Sequence, residues 1–197
     1  MKKIISLFKR DYGGNRQVYD EVVPGAEWVI SGEGIATIQY DGTCCMVRNG
    51  KLYKREDYKP EPEGWEPAEP EPNQHTGYWP GWLPVGDGPE DKWHREAFCL
   101  TIENGVTTLE DGTYELVGPK VQGDPYGLKA HHLWRHGEII YRDQLVTIDK
   151  APRDFNGLCQ WLKGNPVEGI VWHHPDGRMV KIKRRDFGIS WPILEIV

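Results

Sequence analysis

Near the end of the chain, Val180-Lys181-Ile182-Lys183 alternates apolar and basic residues. A strand here puts both lysines on one face and both aliphatics on the other. Similar patterning recurs around three two-residue turn signals. CMVRNGKLYK centres on Asn49-Gly50, TTLEDGTYELVG on Asp111-Gly112 and GIVWHHPDGRMVKIK on Asp176-Gly177; such pairs close type I′ hairpins. Pro175 must fall at a strand end or in a loop, because it has no N–H to give a ladder. Helical periodicity is scarce, and its best instance is 153–163. There Phe155, Leu158, Cys159 and Leu162 make one apolar face, Asp154 suits the N-cap and Gly164 suits a left-handed stop. The pattern predicts an α+β fold dominated by antiparallel sheets with few helices, in one domain spanning 1–197.

Residues 59–90 break the pattern, holding eight of the fifteen prolines, which excludes helix and argues against a central strand. Residues 59–72 read as an extended, solvated acidic loop. TGYWPGWLPV carries Tyr78, Trp79, Trp82 and Leu83, too apolar to leave in water, and is predicted to be an irregular strap packed on the domain.

Charge changes the picture only through its location. The net charge is −6, and residues 56–72 account for all of it with seven acids and one lysine. The remainder is balanced, and 178–185 (RMVKIKRR) has five basic residues in eight, so a phosphate-bearing partner is not excluded. No apolar run approaches the ~20 residues of a membrane helix. The N-terminal apolar patch is interrupted by Lys9, Arg10 and Asp11 too soon for a secretory signal. Four cysteines, two of them adjacent at Cys44 and Cys45, do not make a disulfide framework, and a cytosolic or nuclear setting is expected.

Two ammonium groups side by side repel each other. A solvated outer face tolerates that, whereas an anion lying across both, such as a polyphosphate, exploits it. Glu168 precedes the Asp176-Gly177 turn, which would fold a carboxylate against the lysine pair. Glu115 within a strand and the Asp41-Gly42 turn are each weak signals alone. The pairs Cys44-Cys45, His94 with Cys99, His131-His132 and His173-His174 lack zinc-site spacing. Adjacent strand residues also face opposite ways, so no zinc site is expected.

The order of these elements carries more weight than any one of them. Gln39-Tyr40-Asp41-Gly42, then Glu115, then Glu168-Gly169-Ile170-Val171, then Lys181-Ile182-Lys183 resembles the motif series of the covalent nucleotidyltransferase superfamily of ligases and capping enzymes. The phrases VYDEVVPGAEWV, DGTCC, NGKLYKR, TGYWPGWLPV, GTYELVGPKVQG and HHLWRHGEI are most similar to the 5′–3′ RNA ligase family that includes the vertebrate RNA ligase 1 type.

That resemblance implies an adenylyltransferase domain without an OB domain, acting on RNA ends with ATP and Mg²⁺ or Mn²⁺. An enzyme-adenylate and then an RNA-adenylate would precede the joining of 5′-phosphate to 3′-hydroxyl. By the same resemblance, Lys181 and Lys183 clamp phosphates, and Asp41, Glu115 and Glu168 are metal candidates. Ile38, Asp41, Gly42, Arg55, Glu115, Trp134 and Glu168 join the lysines around the nucleotide, Trp134 as the adenine-stacking candidate. Arg48 and Lys54 are further candidates for phosphate or ribose contacts. Gln39 stands where the family motif has its nucleophilic lysine. A carboxamide nitrogen is delocalised into its carbonyl and cannot form the phosphoramidate, so self-adenylation is expected to be blocked. Either the residue was substituted to halt that step or the chain is a paralogue that lost it, and retention of the other motif residues favours the first. A non-catalytic nucleotide- or RNA-end-binding protein of the same fold is the alternative.

Overall fold

The computed structural model describes residues 4–58, 62–74, 76–103, 109–138 and 148–192. In chain order its elements begin with β1 (Ile5–Ser6), β2 (Phe8–Arg10), β3 (Val18–Val22), α1 (Glu27–Ile30), β4 (Ile35–Gln39), β5 (Thr43–Arg48) and β6 (Lys51–Tyr58). There follow β7 (Glu66–Pro67), β8 (Trp79–Pro84), α2 (Lys92–Glu103), β9 (Gly112–Val117), β10 (His132–Arg135), α3 (Phe155–Gly164), β11 (Gly169–His173) and β12 (Met179–Lys183). Two compact units result. One is Asp41–His136, and the other combines Ile4–Tyr40 with the described residues from Gly137 onward. The architecture is α+β with mostly antiparallel sheets, as expected of a nucleotidyltransferase-type ligase domain.

The first unit is a six-stranded antiparallel sheet in the order β10-β9-β5-β6-β8-β7. Asn49 and Gly50 both have left-handed φ (52° and 69°), so the β5–β6 hairpin closes with the turn its sequence signalled. Cys45, Val47, Leu52, Tyr114, Leu116 and Leu133 cluster with Ala97 of α2, and Trp93 and Phe98 of the same helix pack against them. That helix was not foreseen. Trp93 and Ala97 sit at i, i+4, but charged neighbours dilute the stripe and a Pro-rich stretch runs up to its start.

Two expectations about this unit are corrected. Asp111-Gly112 is not a hairpin turn: Gly112 is already the first residue of β9, and the Asp111 carboxylate instead accepts the Asn49 N–H at 2.8 Å. Of the arm expected before it (TTLE, 107–110), Thr107 and Thr108 lie outside the described residues. Trp79–Pro84 is not an irregular strap but a strand paired along β6. Its prolines are tolerated because β7 covers only two residues of its other edge, so most of β8 needs no donors there. Trp82 is buried as expected, whereas Tyr78 remains 48% exposed.

In the second unit, β1-β12-β11-β4 form a sheet and β2-β3 a separate ribbon. The β11–β12 hairpin turns through Asp176-Gly177 with Gly177 at φ 88°, and Pro175 falls in the turn. Asp154 caps α3 by accepting the Gly157 N–H at 2.8 Å. Gly164 does not supply a left-handed stop. The helix ends at Asn165, extended at φ −121° and ψ 133°, whose Nδ2 donates to the Trp161 carbonyl at 2.7 Å. Phe8, Phe155 and Phe187 meet edge to face. Among the described residues no helix is long and apolar enough to cross a membrane.

One buried ion pair braces the first unit. Lys54 Nζ lies 2.7 Å from Asp91 Oδ1, and Asp91 Oδ2 accepts the Gly86 N–H at 2.8 Å. Replacing Asp91 leaves the buried Lys54 ammonium with Glu56 alone, at 3.2 Å, so Asp91→Ala should lower the unfolding free energy by at most about 3–5 kcal/mol. The joint change Lys54→Met with Asp91→Leu should cost less than Asp91→Ala alone. Urea unfolding followed by tryptophan fluorescence measures both.

Candidate functional site

In the second unit β11 is flanked on both sides. Gly169 pairs with Gln39 of β4 and with Lys183 of β12, and Val171 pairs with Thr37 and with Lys181. Cross-strand partners share a face, so Gln39, Lys181 and Lys183 lie on one side of this sheet. Ile38, Ile170 and Ile182 form the buried row behind them. The side chain of Ile38 is therefore part of the apolar layer, and only its main chain is left for a ligand on the Gln39 face.

Gly169 has no side chain to stand between Gln39 and Lys183, and a Cβ built there would lie 2.2 Å from the Ile182 carbonyl oxygen. Gln39 Nε2 donates to the Tyr40 carbonyl at 2.9 Å. Its Oε1 is buried with no hydrogen-bond partner among the described residues. An unpaired buried acceptor costs on the order of 1–3 kcal/mol, a penalty that folding alone gives no reason to keep.

Lys183 Nζ lies 2.5 Å from Glu168 Oε1, and both side chains are nearly buried. The backbone N–H of Lys183 donates to Asp186 at 2.8 Å, which fixes the strand end. Lys181 is different. Burial first, and the neighbouring Lys183 charge second, pull its ammonium down from 10.5 to about 8. The expected meeting of a carboxylate with the lysine pair thus occurs at Lys183.

The first unit presents a second row. Cys44 pairs with Glu115, and Glu115 with Trp134, all opposite the face that packs on α2. Glu115 Oε1 accepts the Gly42 N–H at 3.1 Å. A Cβ on Gly42 would fall 2.2 Å from the Leu116 carbonyl oxygen and 2.8 Å from Glu115 Cγ, so only glycine permits this approach. The Asp41 N–H donates to Tyr126 Oη at 2.7 Å, and the Tyr126 ring tilts against Trp134 at 4.8 Å.

His136, one residue past β10, closes the arrangement. Its Nε2 lies 2.8 Å from Glu115 Oε2 and its Nδ1 3.0 Å from Thr113 Oγ1. The Arg55 side chain hydrogen-bonds the Cys44 thiol and reaches Glu69 at 3.3 Å. Burial, reinforced by the Glu115 charge, pushes the Cys44 thiol up to about 12. Of the other basic candidates, Arg48 pairs with Glu66 at 2.8 Å and lies over the Tyr53 ring. Lys54 does not belong to this face. It shares the side of Cys45, its register partner, and is held by Asp91.

Sequence reasoning passed over Tyr126 and His136. His136 stands within the phrase HHLWRHGEI without being singled out there, Tyr126 stands in no quoted phrase, and their place follows from the β9–β10 register and the turns beside it. The chain crosses between units at Tyr40-Asp41, inside the tetrad that held the first motif.

The match to the RNA ligase 1 family model covers residues 99–197, which include Glu115, Trp134, Glu168, Lys181 and Lys183. This chain belongs to the RNA ligase 1 family. Among its relatives, RNA ligase 1 of Rattus norvegicus is 28% identical over 81% of this chain and 69% of its own length. The Mus musculus protein of that name is 29% identical over 81% and 68%. The Pongo abelii protein is 32% identical over 70% of this chain and 51% of its own length. The family-model match begins after Gln39, which lies outside it.

The Lys181 environment has a measurable consequence. Between its folded value of about 8 and its ordinary 10.5, the unfolded chain holds a proton that the folded chain has released. The cost of charging Lys181 is thus fully present below about pH 8, and stability gains from this group as pH rises to 10.5. A ¹³C-lysine NMR titration should show its midpoint near 8. An ordinary lysine midpoint would contradict the burial described.

Proposed function

We propose that this chain carries the ATP-dependent 5′–3′ RNA-joining machinery of its family, with the first chemical step halted at Gln39. The observation that supports this most is the row Gln39–Gly169–Lys183, with Lys181 on the same face. An amine at position 39 would stand across a side-chain-free glycine from one ammonium, with a second nearby. Two such cations lower the pKa of an amine and expose its lone pair. They also stabilise charge growing on the α-phosphate and the departing pyrophosphate. Gln39 retains the polarity and approximate length of the motif residue without the lone pair, so no phosphoramidate forms.

The final sealing step does not use that residue. An RNA 3′-oxygen bonds to the adenylated 5′-phosphorus as the bond to AMP breaks, and the hydroxyl proton is lost. Lys181 and Lys183 balance charge on the phosphates, Arg55 contacts phosphate or ribose, and Trp134 offers a stacking surface for adenine. Asp41, Gly42, Glu115 and Glu168 complete the nucleotide contacts. The oxygen donors Asp41, Glu115 and Glu168 suit Mg²⁺ or Mn²⁺, which when bound neutralises phosphate charge. Glu115 and Glu168 already engage Gly42 and Lys183, which fits an ion that keeps much of its water.

A second reading, a nucleotide- or RNA-end-binding protein without catalysis, is favoured by Gln39 itself. The two separate by experiment. Incubated with ATP and Mg²⁺, the Gln39→Lys variant should gain one AMP by intact-mass spectrometry, and the unaltered chain none. Failure of the lysine form to gain AMP would sink the ligase reading. Given pre-adenylated RNA, the unaltered chain should still seal ends. No sealing by the unaltered chain, with AMP gain intact in the variant, would favour the pure binder.

A further inference from the structure

On the face of the first unit's sheet that lies opposite α2, Cys44 Sγ, a Glu115 carboxylate oxygen and a His136 ring nitrogen all lie within 4.8 Å of one another. We propose that these three side chains bind a divalent ion of borderline softness, Zn²⁺ or its surrogate Co²⁺, leaving a fourth position for water or a substrate oxygen. This site differs in chemistry from the all-oxygen Mg²⁺ donors above. Thiolate and imidazole suit zinc and cobalt, whereas magnesium takes oxygen.

The fold brings the donors together through register. Cys44 and Glu115 are direct partners on β5 and β9. The His136 N–H bonds the Thr113 carbonyl, two residues before Glu115 on the same strand. A tetrahedral zinc with bonds of about 2.0–2.3 Å holds its donors roughly 3–4 Å apart, so modest side-chain rotations close the set. His136 also has the orienting partner that metal-bound histidines usually have, since its Nδ1 lies 3.0 Å from Thr113 Oγ1. Its Nε2 points to Glu115 at 2.8 Å. The metal would replace the proton shared there, Nδ1–H then donating to Thr113. At Cys44 the S–H bond gives way to S–metal and the proton leaves to solvent.

Thiolate and carboxylate together balance a dication. Arg55, which bonds the thiol, also reaches Glu69 and can release sulfur while keeping that ion pair. Cys45 faces the core cluster, and Cys99 and Cys159 lie on α2 and α3, so Cys44 alone supplies sulfur. Where the site bears on ligation, the inference rests on the reading above. An ion that engages Glu115 removes it from the nucleotide, so zinc should inhibit.

The test needs neither ATP nor RNA, so it succeeds or fails independently of ligase activity. The full chain is titrated with Co²⁺ and followed by absorption. One equivalent should produce a thiolate-to-cobalt charge-transfer band with the intense visible bands of four-coordinate cobalt. Cys44→Ser should abolish the charge-transfer band, whereas Cys99→Ser and Cys159→Ser should retain it. Thr113→Val, which removes the orienting partner, should weaken binding about 10–100-fold. Zinc K-edge absorption on the unmodified chain covers the case in which Cys44→Ser fails to fold, and should show one sulfur beside nitrogen and oxygen. A cobalt complex without the charge-transfer band, a band that survives Cys44→Ser, or a zinc shell of nitrogen and oxygen alone would overturn the proposal.

Discussion

A carboxylate and an ammonium held 2.5 Å apart with little water around them, Glu168 and Lys183, set the terms for the second unit. Removing two charges from water costs several kcal/mol per ion, and breaking such a pair costs about 3–5 kcal/mol. The pair ties the start of β11 to the end of β12. With the Lys183 N–H also on Asp186, the register cannot slip by one residue without separating the charges and turning the isoleucines outward. That register puts Gln39, Gly169 and Lys183 in one row, with Lys181 in the next.

The first unit solves a similar problem with its sheet split by face. Cys45, Val47, Leu116 and Leu133 are spent on the contact with α2, and the buried Lys54–Asp91 pair lies on their side. Residues one position out of phase, Cys44, Glu115 and Trp134, point to the opposite face. Strand alternation alone makes that division. Glu115 is held at both oxygens, by Gly42 and by His136, so its orientation is set before any ligand arrives.

Much of this was legible in the sequence wherever local chemistry dictates structure. Asn49-Gly50 requires left-handed backbone at both residues and obtained it, whereas at Asp176-Gly177 only the glycine is left-handed and the hairpin closes through a longer turn than type I′. VKIK alternates because one face is buried, and Asp154 caps the helix it precedes. The losses came where partners distant in sequence decide. Gly112 looks like a turn residue yet begins a strand, because Val47 of β5, distant in sequence, pairs with it. The proline-rich β8 forms because its outer edge is nearly uncovered. Helix α2 hides its apolar stripe among charges. Alternation could not show that His136 would fold back on Glu115, since that depends on the turn after β10.

Membership of the RNA ligase 1 family fits this division of labour, and Gln39 sharpens it. On the proposed reading, with no amine at position 39, a bound nucleotide would be held by cations and hydrogen bonds and not by a covalent link. The most direct test is calorimetric binding of adenosine, AMP and ATP to the unaltered chain across a range of salt. Affinity is expected to rise with each added phosphate, with ATP at least about tenfold (~1.4 kcal/mol) above adenosine and losing ground as salt increases. Equal, salt-independent affinity for adenosine and ATP would show that Lys181 and Lys183 are an ordinary solvated face.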